Sequence, residues 1–477
     1  DLTVDSKFEA QNYNKWFTDA SLITSFKKNI NTKYSINFES ALETSKNYIQ
    51  STNPNNELSY TSSLATKINL NGYNLKNIDD KLLINFSTYQ TNQNDDDNSS
   101  LPTVLPYINY NSGFHEYKEF SYQNNFEFYN IFRDKKTSSY AKEQQKLSHN
   151  LSFYKKYTKF HSNIIFESQL NNQLYNTIKK DIEGNKVYSG NSFRIFPIIG
   201  ARIDTPFKLE NNIFDFTYTP SIALILSPGR SNSEKISNED SSLNSYSANN
   251  EISLNRYTGS DRLDNSKRLV SSFNVDNENL TMNLSQSYEF TDNSNFHNET
   301  GNDDNLGDLL GSFKYNKHLK NFEYNFRYDH ENRYLKQQNV NYENKNKFGE
   351  IELSYLDQKS KTDTIVNEDL ETFNYKFISK TINKYSKISL DGLYDLKKSI
   401  NTEYGLSYNY FDECFGISLD FDRKSYTEEN LKPQDTLTIM FSFKNIGSYK
   451  SSNLAVSEND KQDIKWESIS VENDLFN

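Results

Sequence analysis

The side chains able to do acid–base, nucleophilic or metal chemistry are dispersed along this chain rather than grouped. The six histidines are His115, His149, His161, His297, His318 and His330, and no two stand four apart around a glutamate, the spacing that puts two imidazoles on one zinc ion. No glycine-rich phosphate loop, nucleophile elbow or paired-cysteine metal site is present. No catalytic residue, metal ligand or cofactor is therefore expected, and the chain is not expected to be an enzyme. Asp95-Asp96-Asp97 and Asp303-Asp304 are dense enough in carboxylate to hold calcium weakly, although solvated loop charge accounts for them more simply. Cys414 is the only cysteine, so no internal disulfide can form. It is either an inert residue or, in an oxidising compartment, one whose partner lies outside this chain. Glu323, Asn325 and Arg327, like Ser418, Asp420 and Asp422, occupy alternate positions and so share a face. Such a row would line a hydrophilic passage, or simply form the wet side of a large sheet.

The elements that must carry these residues are strands. Between 321 and 329, Phe322, Tyr324, Phe326 and Tyr328 alternate with Glu323, Asn325, Arg327 and Asp329, a period of two that places one face in oil and one in water. Tyr404, Leu406, Tyr408 and Tyr410 repeat it. So do Phe415, Ile417, Leu419 and Phe421, and then Leu437, Ile439, Phe441 and Phe443, with Met440 out of phase. Leu280, Met282 and Leu284, continued by Tyr288 and Phe290, form another such face, as do Phe214, Phe216 and Tyr218. Weaker versions fill much of the remaining chain, giving about 20–24 strand candidates near the ~9–11 residues a tilted strand needs to cross a bilayer. Segments 80–86 and 302–311 read as possible short helices. Asn-, Asp- and Ser-rich stretches such as 91–100, 227–248 and 291–308 are loops. Pro106, Pro197, Pro206, Pro220 and Pro228 lie in or beside strand-like runs, where a missing donor marks a strand start, a bulge or a poorly zipped seam.

Composition agrees with a two-faced sheet. Tyr and Phe number 34 and 33 against 2 Trp and 2 Met, yet only 34% of residues are hydrophobic. A soluble core of this size would draw more on aliphatic residues. The longest clear apolar run is Ile222–Leu226, far short of the ~18–20 residues of a spanning helix. The formal charge of −11, with no basic run, argues against a nucleic-acid partner. The chain opens at Asp1 without a leader and reads as a mature chain or an excerpt. The expected fold is all-β, a large antiparallel transmembrane barrel of about 20–26 strands over residues 1–447, with its first strands expected to lie outside this chain, followed by a polar tail over 448–477.

Three stretches carry a family resemblance. They are Leu101-Pro-Thr-Val-Leu-Pro-Tyr107; the run from Tyr218 to Pro228 with Ser237-Asn-Glu-Asp-Ser241 and Asn255-Arg-Tyr-Thr-Gly-Ser-Asp-Arg-Leu263; and Tyr408 to Leu419 with Phe443-Lys-Asn-Ile-Gly447. Their order and spacing resemble the C-terminal barrel domain of the LptD family of outer-membrane lipopolysaccharide-assembly proteins, and the turn bearing Arg256, Gly259, Asp261 and Arg262 is its most specific part. The resemblance implies a wide barrel that inserts lipopolysaccharide into the outer leaflet through a lateral seam. That seam lies between the first strand and the terminal strand of Leu437, Ile439, Phe441 and Phe443. It further implies an LptE-like lipoprotein plug in the lumen, and an LptA-like periplasmic bridge reached through an N-terminal jellyroll that this chain lacks. Cys414 matches a position that forms a disulfide to that N-terminal region; some members carry two adjacent cysteines there, and this chain has one. The competing readings are a diffusion porin, a TonB-dependent receptor, and a soluble adhesin or glycan-binding β-protein.

Overall fold

A computed structural model describes residues 2–11, 19–46, 48–49, 58, 61–92, 97–210, 215–228, 230–242, 248–291, 305–359, 369–412, 414–424, 434–443, 447–451, 454–455 and 466–469. Asp95, Asp96, Phe214, His297, Asp303, Asp304 and residues 444–446, singled out above, lie outside that set.

The described residues form one antiparallel sheet of 27 strands. Strands pair with their neighbours in sequence from Leu2–Gln11 through Gln434–Phe443, so the sheet is an up-and-down meander. Two short pieces, His115–Tyr117 and Phe207–Glu210, pair beside longer strands. Connections differ between the two ends of the sheet, although short turns from Ile182 to Lys186, Asp329 to Tyr334 and Asp395 to Ile400 share an end with the long ones. One end of the sheet carries tight turns, such as those between Glu143–Lys159 and Ser162–Ile182 or between Leu309–Lys317 and Lys320–Asp329. The other carries long excursions, including the one from Leu226 to Lys267. This asymmetry is the habit of outer-membrane barrels, whose periplasmic turns are short.

Three expectations need correction. Segment 80–86 runs into the strand Lys81–Thr91 and 309–311 opens the strand Leu309–Lys317, because cross-strand pairing overrides a local helical spacing. The sheet does not stop at Phe443. Gly447–Ser451 and Leu454–Ala455 pair with Gln434–Phe443, and Trp466–Ile469 pairs with Gly447–Ser451, so part of the polar stretch 448–477 continues the ladder. An open edge presents unpaired N–H and C=O groups that a polar segment can satisfy as well as an apolar one. The prolines, finally, lie in mid-sheet and not at its ends. Pro106 sits where the registers of Thr103–Asn111 with both neighbours shift, Pro197 faces Leu170, Pro206 interrupts the strand after Asp204, Pro220 faces Phe273, and Pro228 follows Leu226. Pro106 thus marks a bulge and Pro206 a strand start, two of the three expected roles, and only the third fails, since none of the five weakens a junction of first and last strands. Among the described residues, no pairing joins Leu2–Gln11 to the C-terminal strands.

The two faces are as different as the alternation predicts. On one, large apolar side chains are exposed: Phe126, Phe153 and Phe166, then Phe193, Ile199 and Ile222. The other carries the polar partners and the folded excursion 227–266. The run Ile222–Leu226, apolar at every position, is the exception that the structure explains. Ile222, Leu224 and Leu226 are exposed on the first face. Ala223 and Ile225 are buried on the second, in a cluster with Phe196, Ile198, Leu254, Leu263 and Val270. A strand covered on both sides loses its alternation.

Candidate functional site

The densest chemistry lies where the excursion 227–266 folds back onto the polar face. Two short segments of it, Ser237–Ser241 and Ser260–Asp264, clasp each other. Asp261 accepts the backbone N–H groups of Glu239 and Asp240 at 2.8 and 3.1 Å, while Asp240 accepts those of Asp261 and Ser260 at 2.8 and 3.1 Å. Gly259 makes this approach possible. Its φ is +71°, and a Cβ there would stand 2.3 Å from the Asp240 carbonyl oxygen.

The wall grips the clasp through long side chains. Lys146, fully buried on the strand Glu143–Lys159, lies 2.6 Å from both Glu127 and Asp240 and 3.0 Å from Asp261. The Tyr129 hydroxyl is 2.9 Å from each Asp261 oxygen, and that of Tyr175 is 3.2 Å away. Gln144 and Ser237 exchange amide and backbone hydrogen bonds of 2.7 Å, as two strands would. Arg133 binds Glu239 through both ends of its guanidinium, and Arg194 donates to the carbonyls of Ser260 and Asp261 at 2.7 and 3.0 Å. A second knot closes the far side. Arg256 lies 2.7 Å from Asp264, 2.5 Å from Glu289 and 3.5 Å from Glu251, and Arg268 lies 3.0 Å from Asp264.

One lysine faces three carboxylates in the first knot, and the titration of the loop groups reflects it. Burial pushes Asp261 up to about 6, with Asp240 adding to the rise and Lys146 opposing it. Burial also pushes Asp240 up, but Lys146 and its hydrogen bonds leave it below the usual carboxylate range. Arg256 is held charged: burial opposes the charge, and Asp264, Glu251 and Glu289 outweigh it. Nothing in this geometry pairs a nucleophile with a base. Its chemistry is adhesion, fastening a long excursion across the polar face.

The family turn thus divides by role. Arg256 and Asp261 are buried anchors, Gly259 permits the clasp, and Arg262 contributes its backbone N–H to Ser241 Oγ at 2.9 Å. The other polar candidates share the loop-bearing face by register. Asn325 is opposite Ser312, Ser312 opposite Asn283, and Asn283 opposite Asn274, which shares a face with Val270 under the loop. From Asn321 the same face continues through Glu343, Glu352, Lys376, Asp391 and Gly405 to Asp422. There Asn325 donates to Glu323 at 2.9 Å, Arg327 lies 2.5 Å from Asp308, and the Ser418 hydroxyl is 2.6 Å from Asn409 and 2.9 Å from Asp420. Leu437, Ile439 and Phe441 alternate with the buried Thr436, Thr438 and Ser442, and Phe443 is exposed. Their strand is paired on both sides, to Phe415–Lys424 and to the pieces beyond 446, so it is not the last strand of the described sheet. Cys414 is exposed in the tight turn between Ile400–Phe411 and Phe415–Lys424. Lys146, Tyr129, Tyr175, Gln144, Arg194 and Arg268 had no motif to announce them. Their one signal was a long polar side chain on a wall strand, in phase with its polar face.

The family described as LptD, LPS transport system D, matches residues 20–400, well over half of the sequence. The chain belongs to the LptD family. Membership makes it an outer-membrane component of lipopolysaccharide transport, carried on a large all-β antiparallel sheet. The matched region includes the clasp and both buried knots of this LptD-family chain and ends before Cys414. No curated protein matches the chain. Among solved structures, a mutant ferric enterobactin receptor from Pseudomonas aeruginosa is similar over 95% of this chain and 74% of its own, with a TM-score of 0.39 and 9% identity.

Proposed function

We propose that this chain is the membrane-inserted wall through which lipopolysaccharide reaches the outer leaflet of the outer membrane. The observation that carries the reading is the division of one continuous sheet into an exposed apolar face and a polar face that holds its own excursion. The apolar face fits acyl chains, and the polar face fits the sugars and phosphates of the same molecule. A closed sheet leaves no unpaired edge in lipid, so a wall that opens sideways does so where its ends meet, between the first strand and the C-terminal strands. The match to residues 20–400 supports this. The latched excursion fills part of the lumen, and an LptE-like lipoprotein fills more of it. Feed comes from an LptA-like periplasmic bridge through an N-terminal domain. Cys414 supports that arrangement by its place: it is exposed on the short-turn end, which faces the periplasm in barrels of this kind, where a thiol of such a domain would meet it.

The test is a reversible lock. Cysteines introduced in Leu2–Gln11 and in Gly447–Ser451 should, on oxidation, stop growth and surface display of lipopolysaccharide, and a reductant should restore both. Unchanged display with a quantitatively formed crosslink would rule out release through this seam.

A further inference from the structure

The tight turns carry a repeated feature that transport through the wall does not use. Large apolar side chains stand at their tips, exposed: Ile30, Ile78, Phe114, Phe160, Leu319 and Phe348, with Phe160 82% and Phe348 70% exposed. Lysines accompany them. Lys159 lies over the Phe160 ring at 5.0 Å and Lys347 over the Phe348 ring at 4.9 Å, while Leu319 sits between Lys317 and Lys320. The backbone accepts strain to keep one of these rings in place. Phe160 and His161 form a two-residue turn with φ of +53° and +61°, a conformation that asparagine and glycine adopt far more easily. A turn selected for stability alone would not place phenylalanine there.

We infer that this rim is a collar that inserts its apolar tips at the headgroup level of the inner leaflet and binds anionic phospholipid through the flanking lysines. The tips occur on hairpins from Asp19–Asn29 to Gly349–Gln358, across most of the sheet, so one globular partner could cover only part of them. A bilayer surrounds them all. The strands that meet at Leu319 and Phe348 span nine to twelve residues, about what a tilted strand needs to cross hydrocarbon, so these turns emerge at the interface, while Glu143–Lys159 and Ser162–Ile182, which meet at Phe160, are longer. There a lysine can bury its methylene stem beside the apolar tip and keep its ammonium at the phosphates. Because the chain as a whole carries −11, these lysines are a local feature and not a general basic character.

The inference rests on the membrane-wall reading, and the experiment separates the two. In the complete chain with Trp16 and Trp466 changed to Phe, single tryptophans are placed by F160W, F348W and, on the exposed wall face, I199W. Each protein is reconstituted in zwitterionic vesicles with and without phosphatidylglycerol, using lipids brominated high or low on the acyl chain. The turn tryptophans should emit blue-shifted light and be quenched most by shallow bromine, more so with phosphatidylglycerol, and K159Q and K347Q should abolish that added quenching. Water-like emission untouched by either bromolipid, while I199W is quenched, would overturn the collar; so would a soluble protein partner being needed for the blue shift. Failure of I199W to quench would instead overturn the membrane wall itself.

Discussion

Replacing Lys146 by methionine is expected to release the excursion 227–266 from the wall. The side chain is fully buried against Glu127, Asp240 and Asp261, and methionine restores its volume without its charge. Removing one partner of a buried ion cluster leaves the others uncompensated, at a cost of roughly 3–5 kcal/mol. Limited trypsinolysis should then cut at Arg230 and Lys235, while K156M, which alters an exposed position of the same strand, should leave the loop protected. The loss should also depend on pH. Asp261 titrates in the fold at about 6, above its ordinary value of 3.8, so the folded state binds its proton more tightly than the unfolded chain does. Its contribution is therefore fully present below about 3.8 and is lost as pH rises from there through about 6. Without Lys146 that carboxyl rises further, and the deficit of the variant should be smaller at pH 5 than at pH 8. Equal protection of the loop in the variant and the parent at pH 8 would show that the first knot does not hold it.

Arg256→Met should loosen the same excursion from its other end. Arg256 is the charge nearest to Glu251, whose carboxylate oxygens find no hydrogen-bond partner among the described residues, and it shares Asp264 with Arg268. Its removal leaves Glu251 and Glu289 facing each other's field, again a cost of roughly 3–5 kcal/mol, read as a fall in the thermal midpoint of loop release. E289Q added to R256M should recover part of the loss. Because both knots hold one segment, the K146M/R256M double variant should lose less than the two singles combined.

The wall was legible in the sequence wherever one face meets water. Phe322 to Tyr328 announce their strand without ambiguity, and the paired positions Tyr315, Phe322 and Tyr342 follow the same phase. Legibility fails where a second layer covers the polar side. Phe196 and Ile198, Ala223 and Ile225 turn apolar because Leu254 and Leu263 lie over them, and nothing local reports a cover supplied by residues far along the chain. The site shows the same limit. Arg256, Gly259 and Asp261 could be picked out as a turn, but Asp261 meets Tyr129 across 132 positions, and only the folded register brings Lys146, Tyr175 and Arg194 to it. Around Lys81, adjacent Leu82, Leu83 and Ile84 blur the period of two, and pairing with Asn111, Tyr110 and Asn109 settles what spacing could not.

Two chemically distinct faces define this wall, and cysteine accessibility along Lys320–Asp329 measures them most directly. In a C414S background, reconstituted in vesicles, single cysteines at Phe322, Glu323, Tyr324, Asn325 and Phe326 are exposed to a water-soluble maleimide. Glu323 and Asn325 should label, and Phe322, Tyr324 and Phe326 should not until detergent dissolves the bilayer. Labelling at all five positions in the intact vesicle, or at the aromatic positions alone, would contradict a lipid-facing aromatic surface around a watery interior.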